Sequence, residues 1–297
     1  MSARAGDRGA RYGRTGAGRR RVPEGGGRRG RSPQADTEGE STVIVIAHLS
    51  DIHVDASPRS RERTRAVMEF LDSLPYALDA VIATGDLADH GEESEYAWIR
   101  EHVLASRHPV LTCPGNHDRR DVFRRVLLGA GPAAPEAPVN QVLRADGFVL
   151  ALCDSSVPGK DEGFLEEETL DWLAEELART PADVPVFVGF HHPPVALGIP
   201  FVDGLRQFGE ERLAALVRRH PNVVALLCGH AHTAAATVFA GRPLLVAPGV
   251  VSTAKLPWEQ DGGARDYVYR DEMAPSLAFH VFEAGRLTTH YRSVPPR

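Results

Sequence analysis

The strongest constraint on the fold is an alternation, beginning at residue 43, between short apolar runs and stretches with helical periodicity. Apolar runs at 43–49 and 79–84 have the length of β-strands, and the stretch 60–74 between them repeats its apolar residues at helical spacing. The pattern continues with predicted strands at 109–113, 140–144, 147–153, 184–190 and 222–228 and predicted helices at 92–105, 119–128, 166–179 and 208–219. Strands that alternate with helices in this way are typical of an α/β fold.

The last third of the chain has a different pattern, because it contains short β-like runs and no predicted helix. These runs lie at 234–239, 243–247, 276–283 and 286–293. No linker rich in glycine and serine interrupts the chain after residue 40, and 297 residues suffice for one large domain. We therefore expect a single domain over 41–297 with a β-rich C-terminal third.

Residues 1–40 differ in composition from the rest of the chain. They contain ten Arg, no Lys, five acidic residues and ten Gly, with almost no large apolar side chains. Such a segment cannot bury enough apolar surface to offset the entropy lost on ordering, so we expect a disordered leader. The run Arg19-Arg20-Arg21 is not followed by the apolar stretch of an export signal, which argues against export.

The charge of the remaining residues limits the classes of partner. The leader carries a net charge of +5 within a total of −6, so the body of the protein carries −11. An acidic body argues against a specific nucleic-acid partner, which would require a basic face. No apolar run approaches the roughly 18–20 residues that a membrane span requires, so no membrane span is expected.

The three cysteines indicate the redox environment. Cys113, Cys153 and Cys228 each end an apolar run, where small buried residues are common. Their number is odd, and nothing in their spacing suggests a disulfide framework. We therefore expect a cytoplasmic protein with reduced thiols.

Five polar clusters follow the predicted strands, each at the carboxyl end. They are Asp51-Ile52-His53, Gly85-Asp86, Gly115-Asn116-His117-Asp118, His191-His192-Pro193-Pro194 and Gly229-His230-Ala231-His232. Ligands of open α/β sheets bind outside the carboxyl ends of the strands. The clusters are therefore expected to meet at one edge of the fold.

The residue types of these clusters suit metal binding. Asp, Asn and His without Cys favour Fe, Mn or Zn. Asp51 and His53 point to the same side of an extended segment, so they can share one ion. Asp86 can bridge two ions through its two carboxylate oxygens. Two carboxylates do not neutralise two divalent ions, so the site favours a small anionic substrate despite the acidic body.

The order of the five motifs, D-x-H, G-D, G-N-H-D, H-x-P and G-H-x-H, resembles that of the calcineurin-like metallophosphoesterase superfamily. The resemblance covers residues 43 to about 249. Within the superfamily the chain is most similar to the bacterial class III 3′,5′-cyclic nucleotide phosphodiesterases. The stretches that carry this similarity are 85–89, 154–159 with Gly163 beyond, 170–177 and 191–194.

The resemblance implies an α/β four-layer α/β/β/α sandwich with two central mixed sheets flanked by helices. It also implies two divalent or trivalent metal ions per chain, with one ion held by Asp51, His53 and His232, a second by Asn116, His191 and His230, and Asp86 bridging them. His117 would be the catalytic histidine beside the leaving oxygen. His192 and Asp118 would support the ligands, although plain packing is equally open for His192. A homodimer is compatible with the family.

The substrate implied is a small phosphodiester. Phosphoprotein phosphatases of the superfamily carry an Arg just before G-N-H, where this chain has Pro114. The first expectation is 3′,5′-cyclic AMP or cyclic GMP, hydrolysed to the 5′-monophosphate. The alternatives are a broad phosphodiesterase acting on 2′,3′-cyclic nucleotides or glycerophosphodiesters, a nucleotide-sugar-lipid pyrophosphatase, and a non-catalytic binder, against which the complete ligand set argues.

Other polar residues receive structural interpretations. Asp89 is expected to cap a loop or helix, and His48 is expected to be structural. Arg119 and Arg120 either reach a phosphate or begin a helix on the surface. Residues 250–275, with Trp258, Tyr267 and Tyr269, either shape a pocket or dimer contact or form an irregular loop. The remaining histidines are expected at the surface, namely His90, His102, His108, His220, His280 and His290.

Overall fold

The computed structural model describes residues 43–130, 135–260, 269–270 and 272–294. The expected disordered leader, residues 1–40, lies outside these residues, as does Tyr267. In the described chain the helices are α1 (Pro58–Asp72), α2 (Glu93–His102), α3 (Arg120–Leu127), α4 (Glu167–Ala178), α5 (Pro200–Gly204) and α6 (Glu210–Arg219), with one 3₁₀ turn at Pro257–Glu259.

The strands are mostly short. In chain order they are β1 (Ile44–Leu49), β2 (Ala80–Thr84), β3 (Val110–Cys113), β4 (Gln141–Ala145), β5 (Phe148–Leu152), β6 (Gly163–Phe164), β7 (Val186–Gly189), β8 (Gln207–Phe208), β9 (Val223–Cys228), β10 (Ala235–Phe239), β11 (Arg242–Val246), β12 (Thr253–Ala254), β13 (Tyr269–Arg270), β14 (Ser276–Glu283) and β15 (Arg286–Ser293).

Two mixed sheets form the centre of the fold. The first has the order β15-β14-β1-β2-β3, in which β1, β2 and β3 are parallel and the β14–β15 hairpin is antiparallel to β1. The second has the order β10-β11-β9-β7-β5-β4, with parallel strands from β11 to β5 and an antiparallel strand at each edge. Strands β6 with β8 and β12 with β13 form two small additional pairs.

Three apolar cores divide the molecule into layers. One core lies between the sheets and joins residues such as Ile46 and Ile82 of the first sheet to Phe187 and Leu227 of the second. A second core packs α1, α2 and α3 on the outer face of the first sheet. A third packs α4 and α6 on the outer face of the second. This arrangement confirms the expected sandwich of two mixed sheets flanked by helices.

Burial on both faces explains why the central strands are continuously apolar. All five residues of β2 and all five of β5 are buried, as in sheets that are covered on both sides. Edge strand β15 instead alternates half-buried and exposed residues, which is the pattern of a strand with one face in solvent. Among the described helices, none combines the length and the apolar character needed to cross a bilayer.

The surface prediction was wrong for two histidines. His108 is buried, where its Nδ1 accepts from the Leu78 backbone N–H and its Nε2 donates to the Leu71 carbonyl. His280 is buried in β14, and its Nε2 lies 3.0 Å from Nδ1 of His48. Burial lowers the pKa of His280 to about 3, so this ring is neutral inside the sheet. Each ring satisfies its polar atoms locally, which sequence polarity does not reveal.

Arg120 begins α3, yet its side chain lies inside the protein rather than at the surface or against a substrate. Its Nε is 2.8 Å from the buried Asp154 carboxylate, and its Nη1 is 2.8 Å from Glu166. Its Nη2 donates to the Ser156 carbonyl at 2.7 Å. The guanidinium therefore ties α3 to the loop after β5.

We predict that Arg120→Ala lowers the free energy of unfolding by about 3–5 kcal/mol, because it leaves the Asp154 carboxylate buried without its cation. Guanidinium chloride unfolding followed by circular dichroism measures this change. The matched control is Arg119→Ala, since the neighbouring Arg119 pairs with Asp121 at the surface and its loss should change stability by about 0.5 kcal/mol or less. Equal effects of the two substitutions would contradict the structural role of Arg120.

Candidate metal centre

The carboxyl ends of strands from both sheets meet at one edge of the sandwich. Asp51, Asp86 and Asn116 follow β1, β2 and β3 of the first sheet, and His191 and His230 follow β7 and β9 of the second. The two sheets are joined there by a hydrogen bond of 2.7 Å from His191 Nδ1 to the Thr84 carbonyl. The prediction that the five motifs converge is therefore confirmed.

Asp86 lies between two groups of candidate ligands. One oxygen, Oδ2, is 3.4 Å from His53 Nε2 and 3.3 Å from His191 Nε2. On the first side His232 Nε2 is 3.1 Å from His53 Nε2 and 3.3 Å from Asp51 Oδ1.

On the second side of Asp86, His230 Nδ1 is 3.3 Å from His191 Nε2. Asn116 lines the same cavity as Asp86 and His230. All seven predicted ligands thus meet at one place, with the bridging candidate in the middle.

Three buried atoms at this place have no hydrogen-bond partner within the described part of the chain. They are Asp51 Oδ1, Asn116 Oδ1 and His230 Nε2. A buried polar atom left without a partner costs about 1–3 kcal/mol. Each of the three is a metal-ligating atom type, and each belongs to a residue predicted to bind an ion. The donor set therefore fits a metal centre.

The backbone is strained at five of the seven candidate ligands. Five of the seven described non-glycine residues with positive φ are candidate ligands, namely Asp51 (54°), His53 (41°), Asp86 (49°), His230 (66°) and His232 (49°). Such conformations cost about 1–3 kcal/mol each and cluster at functional sites. They turn each side chain inward directly after a strand.

Glycines in two of the motifs allow neighbouring ligand side chains to lie directly against the backbone. A Cβ atom at Gly85 would lie 2.4 Å from His191 Nδ1, and one at Gly115 would lie 2.2 Å from Asp86 Oδ1. Both distances are far inside van der Waals contact. The G-D and G-N-H-D motifs therefore need glycine because the neighbouring ligands occupy the space of a side chain.

The buried carboxylates of the site require positive charge beside them. Burial raises the pKa of Asp51 to about 6. Burial alone would lower the pKa of His191, but Asp86, Asp51 and the Thr84 carbonyl together outweigh it and raise the value to about 9. Burial also lowers the pKa of His230 to about 3. Protonated His191 thus supplies the cation that Asp86 requires, a role that a bound metal ion would fill.

The comparison with known proteins decides the family. A sequence model of the calcineurin-like phosphoesterases matches residues 44–234. The chain belongs to this family. It is a metal-dependent phosphodiester hydrolase, as the motifs predict.

Relatives of this phosphoesterase carry two kinds of name. A probable cyclic nucleotide phosphodiesterase of Rhodococcus erythropolis is 37% identical over 80% of this chain and 80% of its own. The glycerophosphodiester phosphodiesterase GpdQ of Enterobacter lignolyticus is 32% identical over 70% of this chain and 78% of its own. Among solved structures, a dimetal phosphatase from Danio rerio aligns with a TM-score of 0.58 at 15% identity over 85% of this chain and 99% of its own, which supports the fold.

Asp89 has a role that sequence reasoning missed. Its carboxylate accepts a hydrogen bond of 2.9 Å from His53 Nδ1, which turns His53 Nε2 toward Asp86. Its backbone carbonyl accepts from His117 Nδ1 at 2.9 Å. Metal-ligating histidines are commonly oriented in this way. The sequence indicates this role only through the position of Asp89, an acidic residue four positions after Gly85 in the loop that follows β2.

Asp118 holds the loops of the site together. Its carboxylate accepts from the backbone N–H groups of Leu87, Ala88 and Gly115 and from the Tyr96 hydroxyl, at 2.9 to 3.1 Å. The loop after β2 is thereby fixed to the loop after β3. Asp118 thus contacts the loops that carry Asp86 and Asn116 without lying among the candidate ligands.

His192 is buried beside the ligands, with both ring nitrogens engaged. Nδ1 lies 2.9 Å from the Ser155 hydroxyl, and Nε2 donates to the Asp161 carbonyl at 3.2 Å. Its ring centroid is 4.6 Å from that of His230. His192 therefore packs against a candidate ligand, and its ring lies close enough to those of His191 and His230 for the three to share an ion.

We predict that Asp86→Ala purifies with at least one ion fewer per chain than the wild type, because Asp86 lies between both groups of ligands. Elemental analysis after metal loading and dialysis measures the content. The matched control is Asp121→Ala, which removes an exposed carboxylate on α3 and should retain the wild-type content. Wild-type metal content in Asp86→Ala would contradict the bridging assignment.

Proposed function

We propose that this phosphoesterase hydrolyses a small phosphodiester, and that its preferred reaction converts 3′,5′-cyclic AMP or cyclic GMP to the 5′-monophosphate. The observation that carries the proposal is the complete donor set beside His117, which lines a cavity of about 540 Å³. Three of its metal-binding atoms have no hydrogen-bond partner among the described residues. Pro114 precedes Gly115, so the chain lacks at that position the arginine of phosphoprotein phosphatases.

Two groups of residues would hold the ions. Asp51, His53 and His232 would hold the first, Asn116, His191 and His230 the second, and Asp86 would bridge both. The donor set suits Fe, Mn or Zn. When bound, such ions supply Lewis-acid activation of water and of the phosphoryl group. Asn116 and the four histidines can bind as neutral ligands, so they leave the positive charge that attracts an anionic diester.

His117 would handle the proton of the leaving group. Its Nδ1 donates to the Asp89 carbonyl, which cannot donate in return, so the second proton of an imidazolium resides on Nε2. The ring is partly exposed and lines the cavity, as a group that meets substrate must be. His117 Nε2 would donate its proton to the departing ester oxygen, which otherwise leaves as an alkoxide.

Glycerophosphodiester hydrolysis is the second candidate reaction. One relative with 32% identity is named as a glycerophosphodiester phosphodiesterase. The proposed ions and His117 act on the phosphodiester linkage itself, which glycerol diesters and cyclic nucleotides share. The choice between the two substrates is therefore expected to depend on residues that contact the organic group.

The proposal also covers the cellular compartment and the oligomeric state. Cys113, Cys153 and Cys228 are free and buried, which is compatible with a reducing cytoplasm. A homodimer is proposed from the resemblance to the family alone.

We predict that hydrolysis requires added metal and is strongest for cyclic nucleotides. The test compares kcat/KM for 3′,5′-cyclic AMP, 3′,5′-cyclic GMP, 2′,3′-cyclic AMP, glycerophosphocholine and a phosphomonoester, with Mn²⁺ and with a chelator. The chelator should abolish turnover of every diester. A preference for the monoester, or turnover that is insensitive to the chelator, would overturn the proposal.

We predict that His117→Ala keeps both ions and lowers kcat by on the order of 10²–10⁴-fold, because it removes the proton donor and no metal ligand. Elemental analysis and steady-state kinetics on the best diester measure the two quantities. His290→Ala is the matched control, since His290 is an exposed histidine of edge strand β15 that does not line the cavity. Full activity of His117→Ala, or loss of an ion, would contradict the role.

A further inference from the structure

The cavity at the metal centre has two walls of different chemistry. One wall is polar and contains His117, Asp161 and five of the candidate ligands, namely His53, Asp86, Asn116, His230 and His232. The other is largely apolar and consists of Phe201, Val202 and Leu205 from α5 and the turn after it, together with Tyr269 of β13. A volume of about 540 Å³ falls within the roughly 300–1,000 Å³ of sites that enclose a whole small-molecule ligand. A phosphate group alone needs no apolar wall.

The apolar wall displays two aromatic rings at its surface. Phe201 is 48% exposed and Tyr269 is 41% exposed, whereas Val202 beside Phe201 is only 2% exposed. Val202 and Ile199 belong to the core of the second sheet and anchor α5 there. The Phe201 side chain is therefore exposed, although the helix that carries it is packed against the core.

Hydrogen bonds fix this support to the motif that carries His191. The Asp203 carboxylate of α5 accepts from the backbone N–H groups of Leu197 and Gly198 at 2.6 and 3.1 Å. The backbone N–H of Gln207, after α5, donates to the Pro193 carbonyl at 2.9 Å. Phe201 is thus held at a defined position relative to the metal centre.

Tyr269 is tied to the other side of the site. It pairs with Ala254 in the small β12–β13 sheet, and the Ala254 backbone N–H donates to the His232 carbonyl at 3.2 Å. The Tyr269 ring centroid lies 5.0 Å from that of His232. Both aromatic residues are therefore fixed, through the backbone, to loops that carry candidate ligands.

We propose that Phe201 and Tyr269 form a binding site for a nucleobase, so that the enzyme selects nucleoside phosphodiesters over glycerol phosphodiesters. This assignment rests on the proposed function and deepens it. A base has a planar π-face that stacks on aromatic rings, and stacking is insensitive to which base is present. Glycerol has no such face, and its hydroxyl groups gain nothing from an apolar wall. The proposed pair would therefore select a nucleoside without selecting between adenine and guanine.

The first test measures substrate selectivity. Phe201→Ala and Tyr269→Ala should each lower the ratio of kcat/KM for 3′,5′-cyclic AMP to that for glycerophosphocholine by on the order of ten- to a hundredfold, chiefly through KM. Tyr269→Phe keeps the ring and should keep the ratio. Tyr76→Ala removes an exposed aromatic residue outside the cavity and is the matched control. Equal losses for both substrates, or a wild type that cleaves only the glycerol diester, would overturn the proposal.

The second test does not depend on turnover. Calorimetry on the metal-loaded protein compares binding of 5′-AMP with binding of inorganic phosphate, after circular dichroism has verified the fold of each variant. Phe201→Ala should weaken binding of 5′-AMP relative to phosphate by the same factor. If no diester is hydrolysed but this ratio changes as expected, the proposed function is wrong and the nucleobase site stands. If hydrolysis is normal and the ratio does not change, the nucleobase site is wrong.

Discussion

The structure depends on the burial of two carboxylates, Asp51 and Asp86, among histidines at the meeting point of two sheets. Asp51 Oδ1 has no hydrogen-bond partner within the described residues, and Asp86 Oδ2 is approached chiefly by the rings of His53 and His191. Buried carboxylates persist only when positive charge lies beside them. In the protein alone this charge is a proton on His191, and with metal bound it is the ions themselves. Metal uptake would therefore be coupled to proton release.

The rest of the fold holds the candidate ligands in backbone conformations and contacts that are unfavourable on their own. The positive φ values at five candidate ligands and the close contacts at Gly85 and Gly115 are unfavourable locally. The apolar layer between the sheets fixes the strand ends from which these residues project. Asp89 and Asp118 then fix the loops, one by orienting His53 and His117 and the other by joining the turns after β2 and β3. Each of these two residues therefore joins loops that follow different strands.

Much of this arrangement could be predicted from the sequence, because strand ends and motif order are local features. The apolar runs that end at Leu49, Thr84 and Cys113 give the strands, and the polar residues after them give the site. Contacts between distant segments could not be predicted in the same way. His280 looks like a surface residue until its pairing with His48 is known, and Arg120 looks like a surface residue until Asp154 is placed. Helix α5 has only five residues, too few for periodicity to reveal.

The pairing of β1 with β14 has a consequence for how the chain folds. Ile44 pairs with Phe282, so the central strand of the first sheet acquires one neighbour from a segment more than two hundred residues away in sequence. Contacts of such long range must form against a large loop-closure entropy, and chains rich in them fold slowly. During synthesis β1 leaves the ribosome more than two hundred residues before β14, so this edge of β1 stays open until β14 is available. The first sheet can therefore close only after β14 has been made.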